Sequence, residues 1–271
     1  MSKNESSRVW GEDASKEIAD VIISIYSVGD DKDSVNQYIS TVSQYPLYPQ
    51  WFEKIIKGLD KKKELVDVLE YGPGPNPFSK IIANHPKVKR YTAIEPKENY
   101  REIIREEISN LGKVINSTAE EYDAPDSADV IIATAAYHHF HDKPKAISNM
   151  HKNLRDGKEL IIADVFTENY EFDENYDPVD KKDFVNKMAR YAAAQIMAMP
   201  NPSSWDIEDQ IKTFVLDVMR IGELKVCPNI IKTQLQNSGF KNLAITKMMG
   251  NDPKIDYGVL GYYFITAKKQ F

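Results

Sequence analysis

The middle of the chain alternates short apolar runs with amphipathic segments. Five runs rich in aliphatic and β-branched residues predict strands at 65–71, 91–95, 113–116, 128–134 and 159–166. Segments between them carry apolar residues at three- and four-residue spacing, which predicts helices at 79–84, 97–109 and 143–154. Such alternation is typical of a parallel sheet covered by helices on both faces. The pattern therefore predicts an α/β domain with a ligand site beyond the carboxyl ends of its strands.

This alternation stops after the fifth predicted strand. An acidic loop at 168–177 leads to helical patterns at 179–199 and 205–223, which Pro200-Asn201-Pro202 separates. A helix at 230–237 and strands at 242–247 and 259–267 follow. We therefore predict an α/β core formed by residues 61–167 and 228–271, with a helical insertion at 168–227 that covers the substrate side. The tyrosine-rich helical pattern before it predicts an N-terminal helical cap or lid at 1–60.

Composition favours a soluble protein that acts on small molecules. Of the 271 residues, 42% are hydrophobic and 28% are charged, and the net charge of −6 argues against nucleic-acid binding. The polar N-terminus lacks the apolar segment of a signal peptide, and the most apolar helical stretch is too short to cross a membrane. The single cysteine, Cys227, fits a reducing compartment. We expect a cytoplasmic monomer or homodimer without a membrane or nucleic-acid partner.

The end of the first predicted strand carries the most informative motif. The strand ends at Glu70 and Tyr71, and Gly72 and Gly74 follow. Glycine has no Cβ and tolerates positive φ, so this turn allows a ligand to approach the backbone. A carboxylate here disfavours a pyrophosphate and suits a cofactor with an ammonium group and a sulfonium. A dinucleotide turn would need a small residue where Pro77 stands, which argues against NAD.

Four motifs in this order resemble the class I S-adenosylmethionine-dependent methyltransferases, of the type that acts on small molecules. The motifs are Glu70-x-Gly72-x-Gly74, the acidic Glu95 that ends the second strand, Ser117-Thr118-Ala119-Glu120 after the third strand, and the fourth strand, which ends at Thr134. The resemblance covers residues 62–167 closely and 228–268 in outline. It implies a doubly wound, mostly parallel seven-stranded sheet with an antiparallel last strand, and S-adenosyl-L-methionine as the cofactor.

The resemblance also assigns roles to these residues. Glu70 would hold the ammonium group of the cofactor, although an ion pair with a helix lysine is the alternative. Glu95 would accept hydrogen bonds from both ribose hydroxyls, unless it is only a solvated acid at a strand end. Asn76 replaces the family's third glycine, and asparagine tolerates positive φ. The predicted cofactor-binding residues are Glu70, Tyr71, Gly72, Gly74, Asn76, Glu95, Pro96, Thr118, Ala119, Glu120, Thr134 and Tyr137.

Two histidines after the fourth strand are the candidates for acid–base chemistry. In members of the family that act on small molecules, a pair placed like His138 and His139 commonly faces the cofactor and substrate. Either one could accept a proton from the nucleophile, although alignment and exclusion of water are the main tasks in this displacement. Packing on adenine or capping of the next helix is the alternative. Related enzymes close a tyrosine from the N-terminal helices over the cofactor. The candidates here are Tyr26, Tyr38, Tyr45 and Tyr48, of which Tyr26 is taken as the catalytic candidate, and packing within the helices is the alternative. No metal site is predicted, because adjacent histidines do not converge easily on one ion.

The insertion bears on the identity of the acceptor. Phe184, Met188 and Tyr191 stand at helical spacing, which predicts an apolar or aromatic small-molecule acceptor beneath them or, alternatively, packing between the helices. We therefore predict methyl transfer to O, N or C of a small molecule. Two alternatives stay open. One is an enzyme that uses the cofactor for another biosynthetic step, such as a cyclisation, and the other is a non-catalytic cofactor-binding factor.

Overall fold

Strands and helices alternate along the part of the chain that the computed structural model describes, residues 47–76, 78–198, 201–250 and 259–270. The strands are β1 (Val66–Tyr71), β2 (Val88–Ile94), β3 (Gly112–Ile115), β4 (Ala128–Thr134), β5 (Leu154–Thr167), β6 (Phe240–Gly250) and β7 (Leu260–Lys269). The helices are α1 (Leu47–Asp60), α2 (Phe78–Ala83), α3 (Glu98–Ile108), α4 (Lys143–Asn153), α5 (Lys181–Ala198), α6 (Ser204–Met219) and α7 (Pro228–Asn237).

All of these strands join one seven-stranded sheet in the order β3-β2-β1-β4-β5-β7-β6. The first five strands pair in parallel, and β7 runs antiparallel to both β5 and β6. The predicted doubly wound, mostly parallel sheet with an antiparallel last strand is confirmed. The strand order reverses at β1, which lies between β2 and β4. A ligand crevice is expected at this switch point, beyond the carboxyl ends of the strands.

The register brings the predicted site residues to one edge of the sheet. Tyr71, the last residue of β1, pairs with Ile94 on β2 and with Ala133 on β4. Glu95 and Thr134 each follow one of these partners in the sequence, so both lie at the carboxyl edge beside the glycine turn. The parallel register thus converts motifs that are far apart in the sequence into one cluster.

Two apolar layers cover the faces of the sheet. One layer contains α4 and α7, which contribute Ile147, Met150, Ile231 and Leu235. The opposite layer contains α1, α2 and α3, which contribute Trp51, Phe52, Ile55, Ile82 and Ile104. Burial of these side chains removes apolar surface from water at roughly 25 cal/mol per Å². The sheet therefore forms a rigid platform whose carboxyl edge is left for function.

Helix α1 corrects the predicted boundary of the N-terminal cap. Residues 47–60 were assigned to the cap, but Trp51 and Ile55 are fully buried against the face of the sheet. Helix α1 thus packs as a layer on the sheet, whereas residues 1–46 of the predicted cap lie outside the described residues. The helical pattern in the sequence predicted a helix here, but it could not show against which surface the helix packs.

Helices α5 and α6 follow β5, as the sequence pattern predicts. Phe184 and Met188 of α5 and Val218 of α6 form a separate small cluster with Tyr170 from the loop after β5 and Leu260 at the start of β7. Packing between the inserted helices therefore accounts for Phe184 and Met188. Among the described residues, no helix is both long and apolar enough to cross a membrane.

Candidate functional site

The turn after β1 requires glycine at two positions for different reasons. Gly72 and Gly74 adopt left-handed conformations, with φ of 59° and 62°. A Cβ at Gly72 would lie 2.9 Å from the Cβ of Ala136, so the backbone there packs against the loop after β4. A Cβ at Gly74 would meet nothing within 4 Å. Gly74 therefore borders open space, which fits a ligand that lies against the backbone.

Asn76 does not substitute for the third glycine in the way the sequence predicts. In the described part of this turn, positive φ occurs at Gly72 and Gly74 and not at Asn76. The side chain of Asn76 instead accepts a hydrogen bond from the backbone N–H of Phe78 (2.9 Å) and donates one to the carbonyl of Pro73. Asparagine side chains can replace a backbone partner in a turn. Asn76 therefore closes the turn and leads into α2.

Glu95 joins the glycine turn to the end of β2. Its side chain is only 4% exposed, and its two oxygens accept hydrogen bonds from the backbone N–H groups of Gly74 (3.3 Å) and Lys97 (3.0 Å). Burial raises the pKa of Glu95, and these two N–H groups oppose the rise. Arg101, which the sequence reasoning missed, donates to the carbonyl oxygens of Glu95 (3.0 Å) and Pro96 (2.5 Å) and thereby fixes this loop.

Glu70 is fully buried beneath the turn. One carboxylate oxygen accepts hydrogen bonds from the hydroxyls of Ser79 (3.2 Å) and Tyr91, so the residues that hold it are not lysines. The other oxygen, Oε1, has no hydrogen-bond partner among the described residues. Burial raises the pKa of Glu70 to about 7, although the two hydroxyls oppose the rise. A buried acceptor without a partner is costly, and an ammonium donor would satisfy it.

The stretch after β3 is held by the loop and helix that follow β4. The carbonyl of Ala119 accepts a hydrogen bond from the Asn149 side chain (3.2 Å), and the Glu120 carboxylate accepts one from the backbone of His141 (2.9 Å). The carbonyl of Thr118 accepts the Tyr122 N–H (3.1 Å). The carboxylate of Glu120 is thus used to fix a loop, which leaves a cofactor role for these residues as a prediction.

Three other predicted cofactor residues are buried at this edge. The Tyr71 hydroxyl accepts a hydrogen bond from Asn153 (2.8 Å), and the Tyr137 hydroxyl donates one to Gln234 (2.6 Å). Both tyrosine rings therefore belong to the layer formed by α4 and α7, which limits their contribution to a cofactor site to backbone contacts. Thr134 Oγ1 is buried without a hydrogen-bond partner among the described residues.

His138 lies between two carboxylates. Its Nδ1 donates to Asp164 Oδ1 at 2.6 Å, and its Nε2 lies 3.3 Å from Glu223 Oε2. Burial lowers the pKa of His138, but the charges of Asp164 and Glu223 outweigh this effect and raise it. Ionised carboxylates only accept hydrogen bonds, so both are satisfied when the ring is an imidazolium. The two carboxylates therefore favour the imidazolium form of His138.

His139 is arranged as a neutral ring. Its Nδ1 lies 2.5 Å from the carbonyl oxygen of Gly222, and a carbonyl can only accept, so the proton of the neutral ring is on Nδ1. Burial and the positive charge of His138 lower the pKa of His139. Because 53% of its side chain is exposed, water offsets part of the effect of burial. The Nε2 lone pair is then free to accept a proton.

A chain of buried charges extends from His138 to α6. Lys225 Nζ donates to Glu223 (2.6 Å) and to Asp217 (3.1 and 3.2 Å). Burial raises the pKa of Glu223, but Lys225 and the two histidines lower it below its ordinary value. Negative and positive groups thus alternate from Asp164 on β5 to Asp217 on α6. One sequence signal could have indicated this row of charges, because Asp164 interrupts the apolar run at 160–166.

Lys143 supports the turn that carries both histidines. The side chain is fully buried, and its ammonium donates to the carbonyl oxygens of Tyr137 (2.8 Å) and Phe140 (2.9 Å). Burial lowers the pKa of Lys143 to about 7. Sequence reasoning missed this residue, because a lysine in the first turn of α4 is ordinarily solvated.

The same cluster has residue types that can bind a metal. Ligating atoms of His138, His139 and Glu223 lie within 4.8 Å of one another. The ammonium of Lys225 is 2.6 Å from the same Glu223 oxygen that faces His138. Because of this neighbouring ammonium, a protonated imidazole fits the cluster better than a divalent ion does. The expectation that the protein has no metal site stays a prediction. Tyr26, the other catalytic candidate, lies outside the described residues.

Comparisons with known proteins agree with this geometry. A family model described as a methyltransferase domain matches residues 42–205. An uncharacterized methyltransferase of Bacillus cytotoxicus is 26% identical over 137 residues, which is 49% of this chain and 63% of that protein. A second, of Bacillus mycoides, is matched over 58% of its length, so the chain spans about three fifths of these curated relatives.

Solved structures of low sequence identity share the fold. The Haemonchus contortus phosphoethanolamine N-methyltransferase 2, in complex with S-adenosyl-L-methionine, aligns with a TM-score of 0.64 at 11% identity, over 97% of this chain and 62% of that one. The [4+2]-cyclase SpnF aligns with a TM-score of 0.54 at 12% identity, over 80% of this chain and 81% of that one. The sheet order, the glycine turn and the matched family model lead to one conclusion: this chain belongs to the class I S-adenosylmethionine-dependent methyltransferases.

Proposed function

We propose that the protein transfers the methyl group of S-adenosylmethionine to a small-molecule acceptor at the carboxyl edge of β1, β2 and β4. The observation that carries the cofactor site is the contact between Glu95 and the backbone of Gly74, which joins the two motifs at one place. The carboxylate of Glu95 would accept hydrogen bonds from the ribose hydroxyls of the cofactor. The carboxylate oxygen of Glu70 that has no partner among the described residues would accept a hydrogen bond from the ammonium group of the cofactor. When bound, the cofactor supplies a methyl group activated by a positive sulfur.

The two histidines have different roles in the proposed reaction with the methyl acceptor. Asp164 and Glu223 favour the cationic form of His138, which makes that ring the poorer proton acceptor of the two. His139 has a free Nε2 and an exposed ring edge, so it would accept the proton of an O–H or N–H nucleophile as the methyl group is transferred. Such general-base assistance contributes about 10²- to 10⁴-fold to a rate.

A small molecule is the acceptor class that the comparisons support. The Haemonchus contortus relative is named for methylation of phosphoethanolamine, a small amine. The prediction that the methyl acceptor is apolar rested in part on Phe184 and Met188. Both side chains are buried in the cluster between the inserted helices, so they do not support that prediction. We therefore propose a small-molecule methyl acceptor whose nucleophilic atom carries a hydrogen. The proposal does not require this molecule to be apolar.

Product analysis with labelled S-adenosylmethionine tests this function. Purified protein is incubated with a panel of small amines, phenols and alcohols, and labelled product and S-adenosylhomocysteine are measured. We expect both to appear in equal amounts. His139→Ala should reduce turnover without a change in S-adenosylhomocysteine affinity, whereas His141→Ala, an exposed histidine of the same loop, should leave turnover unchanged.

Two outcomes would overturn the proposal. If an acceptor is converted while the cofactor is not consumed, the protein catalyses a different reaction on the same fold. If His139→Ala and His141→Ala have the same turnover as the unaltered protein, His139 is not the base.

A further inference from the structure

We propose that residues 222–225, at the end of the helical insertion, are a positioning segment that completes the histidine pair. The inference rests on the proposed function, because it assigns a role to the insertion in setting the base. A cover over the substrate would need only apolar packing. This segment instead makes directed polar contacts with both histidines.

Three neighbouring residues of the segment contact the pair. The carbonyl oxygen of Gly222 lies 2.5 Å from His139 Nδ1. The Glu223 carboxylate lies 3.3 Å from His138 Nε2 and 4.0 Å from His139 Nδ1. The backbone N–H of Leu224 donates to the carbonyl of His138 at 2.8 Å. One short segment therefore orients both rings and the backbone that carries them.

These contacts decide which nitrogen of each ring carries a proton. The Gly222 carbonyl can be satisfied only by an N–H, which keeps the proton of His139 on Nδ1 and leaves Nε2 as the acceptor. Glu223 is the second of the two carboxylates that hold His138 as a cation. If the segment moved away, His139 would be free to carry its proton on Nε2, where the ring could no longer accept one from a nucleophile.

A buried ionic tie holds the segment to α6. Lys225 joins Glu223 to the fully buried Asp217, and Arg220 donates to the carbonyl oxygen of Lys225 at 3.0 Å. Lys225, Glu223 and Asp217 therefore hold one another in place, because breaking either buried ion pair would leave a charge without a partner. The position of α6 is in this way transmitted to the histidines.

The titratable and charged groups around His138 come from four elements. Asp164 faces it from β5, and Glu223 and Lys225 face it from the positioning segment. His139, a titratable but neutral ring, lies in the same turn, and the ammonium of Lys143 on α4 lies 3.4 Å from the His138 carbonyl oxygen. Asp164 is supplied by the core, so the core alone gives His138 one carboxylate partner. The second partner, and with it the full set of contacts, depends on the insertion.

Glu223→Gln tests the proposal, because glutamine keeps the size of the side chain and removes its charge. Glu168→Gln is a matched control: its carboxylate is 11% exposed, against 13% for Glu223, and it is paired with Lys247 rather than with a histidine. The readouts are kcat, KM, S-adenosylhomocysteine affinity, and the ¹⁵N signals of protein labelled at its histidines. The ¹⁵N signals report protonation and tautomer without any need for an acceptor.

We expect Glu223→Gln to lower kcat by about 10- to 100-fold, as for a misplaced catalytic group, with S-adenosylhomocysteine affinity unchanged. At neutral pH the imidazolium signal of His138 should weaken and the tautomer of His139 should become mixed. Glu168→Gln should change none of these. Glu223→Asp, which keeps the charge, gives a second variant if the glutamine form does not fold, and it should retain the imidazolium signal.

Histidine signals that stay unchanged in folded Glu223→Gln would overturn the proposal. The same holds for a loss of kcat of equal size in Glu168→Gln, since that would indicate a general structural effect. If instead the signals shift in Glu223→Gln while His139→Ala leaves turnover unaltered, the positioning segment stands and the assignment of His139 as the base fails.

Discussion

Replacing Glu95 with alanine removes the carboxylate that joins the glycine turn to β2. In the structure this side chain is buried, and its two oxygens accept the N–H groups of Gly74 (3.3 Å) and Lys97 (3.0 Å). The 3.3 Å contact is long for a charge-assisted hydrogen bond, so the carboxylate keeps capacity for further donors. A bound ribose would supply two hydroxyls to it.

The expected loss follows from the strength of hydrogen bonds to a charged group. Such bonds contribute about 1.5–3 kcal/mol, which corresponds to an affinity about 10- to 150-fold weaker. Glu95→Gln keeps one acceptor oxygen and loses the charge, so its loss should be smaller than that of Glu95→Ala.

Isothermal titration calorimetry with S-adenosylhomocysteine measures this loss directly. Asp123→Ala is the control, since Asp123 is an acid after the next strand with 54% of its side chain exposed and an ion pair to Lys152. The control should bind as the unaltered protein does. If folded Glu95→Ala binds S-adenosylhomocysteine with unchanged affinity, the ribose assignment is refuted.

Three further predictions concern the turn, its acid and the far end of the sheet. Gly72→Ala should destabilise the fold by about 1–3 kcal/mol in urea unfolding, because backbone strain at positive φ combines with a collision with the Cβ of Ala136. Gly74→Ala should cost less stability but weaken S-adenosylhomocysteine binding, because its new Cβ enters the open space beside the turn. Unchanged affinity in Gly74→Ala would contradict the assignment of that space to the ligand. Glu70 must be ionised to hold an ammonium group, and burial raises its pKa to about 7. The affinity for S-adenosylhomocysteine should therefore rise as pH increases through about 7, and calorimetry should show that Glu70→Gln loses this rise. The same pH dependence in Glu70→Gln would contradict the assignment of Glu70 to the ammonium group. A hydrogen bond from Arg90 lowers the pKa of Asp67 to about 2. The stabilising effect of the Asp67 carboxylate is therefore complete above about pH 4 and is lost as pH falls toward about 2. In urea unfolding between these pH values, the stability of Asp67→Asn should depend less on pH than that of the unaltered protein, and an equal dependence would contradict the Asp67–Arg90 ion pair.

The strands and helices of the core could be predicted because their signals are local. Periodicity identifies a strand or helix within a few residues, and strand 128–134 coincides with the observed β4. Strand β5 begins at Leu154, earlier than the predicted residue 159, because Leu154 pairs with Ala128 across the sheet although the residues that follow it are polar. Pairing with a neighbour decided this boundary, and a single segment contains no information about it.

The family motifs predicted one common edge for the proposed cofactor site for a similar reason. Glu70, Gly72, Gly74 and Glu95 each follow a strand, and parallel strands bring their carboxyl ends together. The expected positive φ at Asn76 was wrong because the argument considered the backbone preference of asparagine and not the hydrogen-bonding capacity of its side chain. The role of the turn in cofactor binding stays a prediction, and the means of closing the turn differs from the expected one.

The surroundings of the histidines could not be predicted. Glu223 is 85 positions away from His138 in the sequence, and nothing in its local pattern indicates burial. Lys143 and Lys225 are residue types that are ordinarily solvated, yet both are buried with several hydrogen bonds. Such contacts arise from tertiary packing between the insertion and the core, so only the structure reveals the different surroundings of the two histidines.

A crystal structure of the protein with S-adenosylhomocysteine tests the central claim most directly. We predict the ribose hydroxyls within hydrogen-bond distance of Glu95, the amino group next to the free oxygen of Glu70, and the amino-acid backbone of the ligand against Gly74. A ligand bound away from the ends of β1 and β2, or a crystal of the folded protein that takes up none of it, would contradict the account.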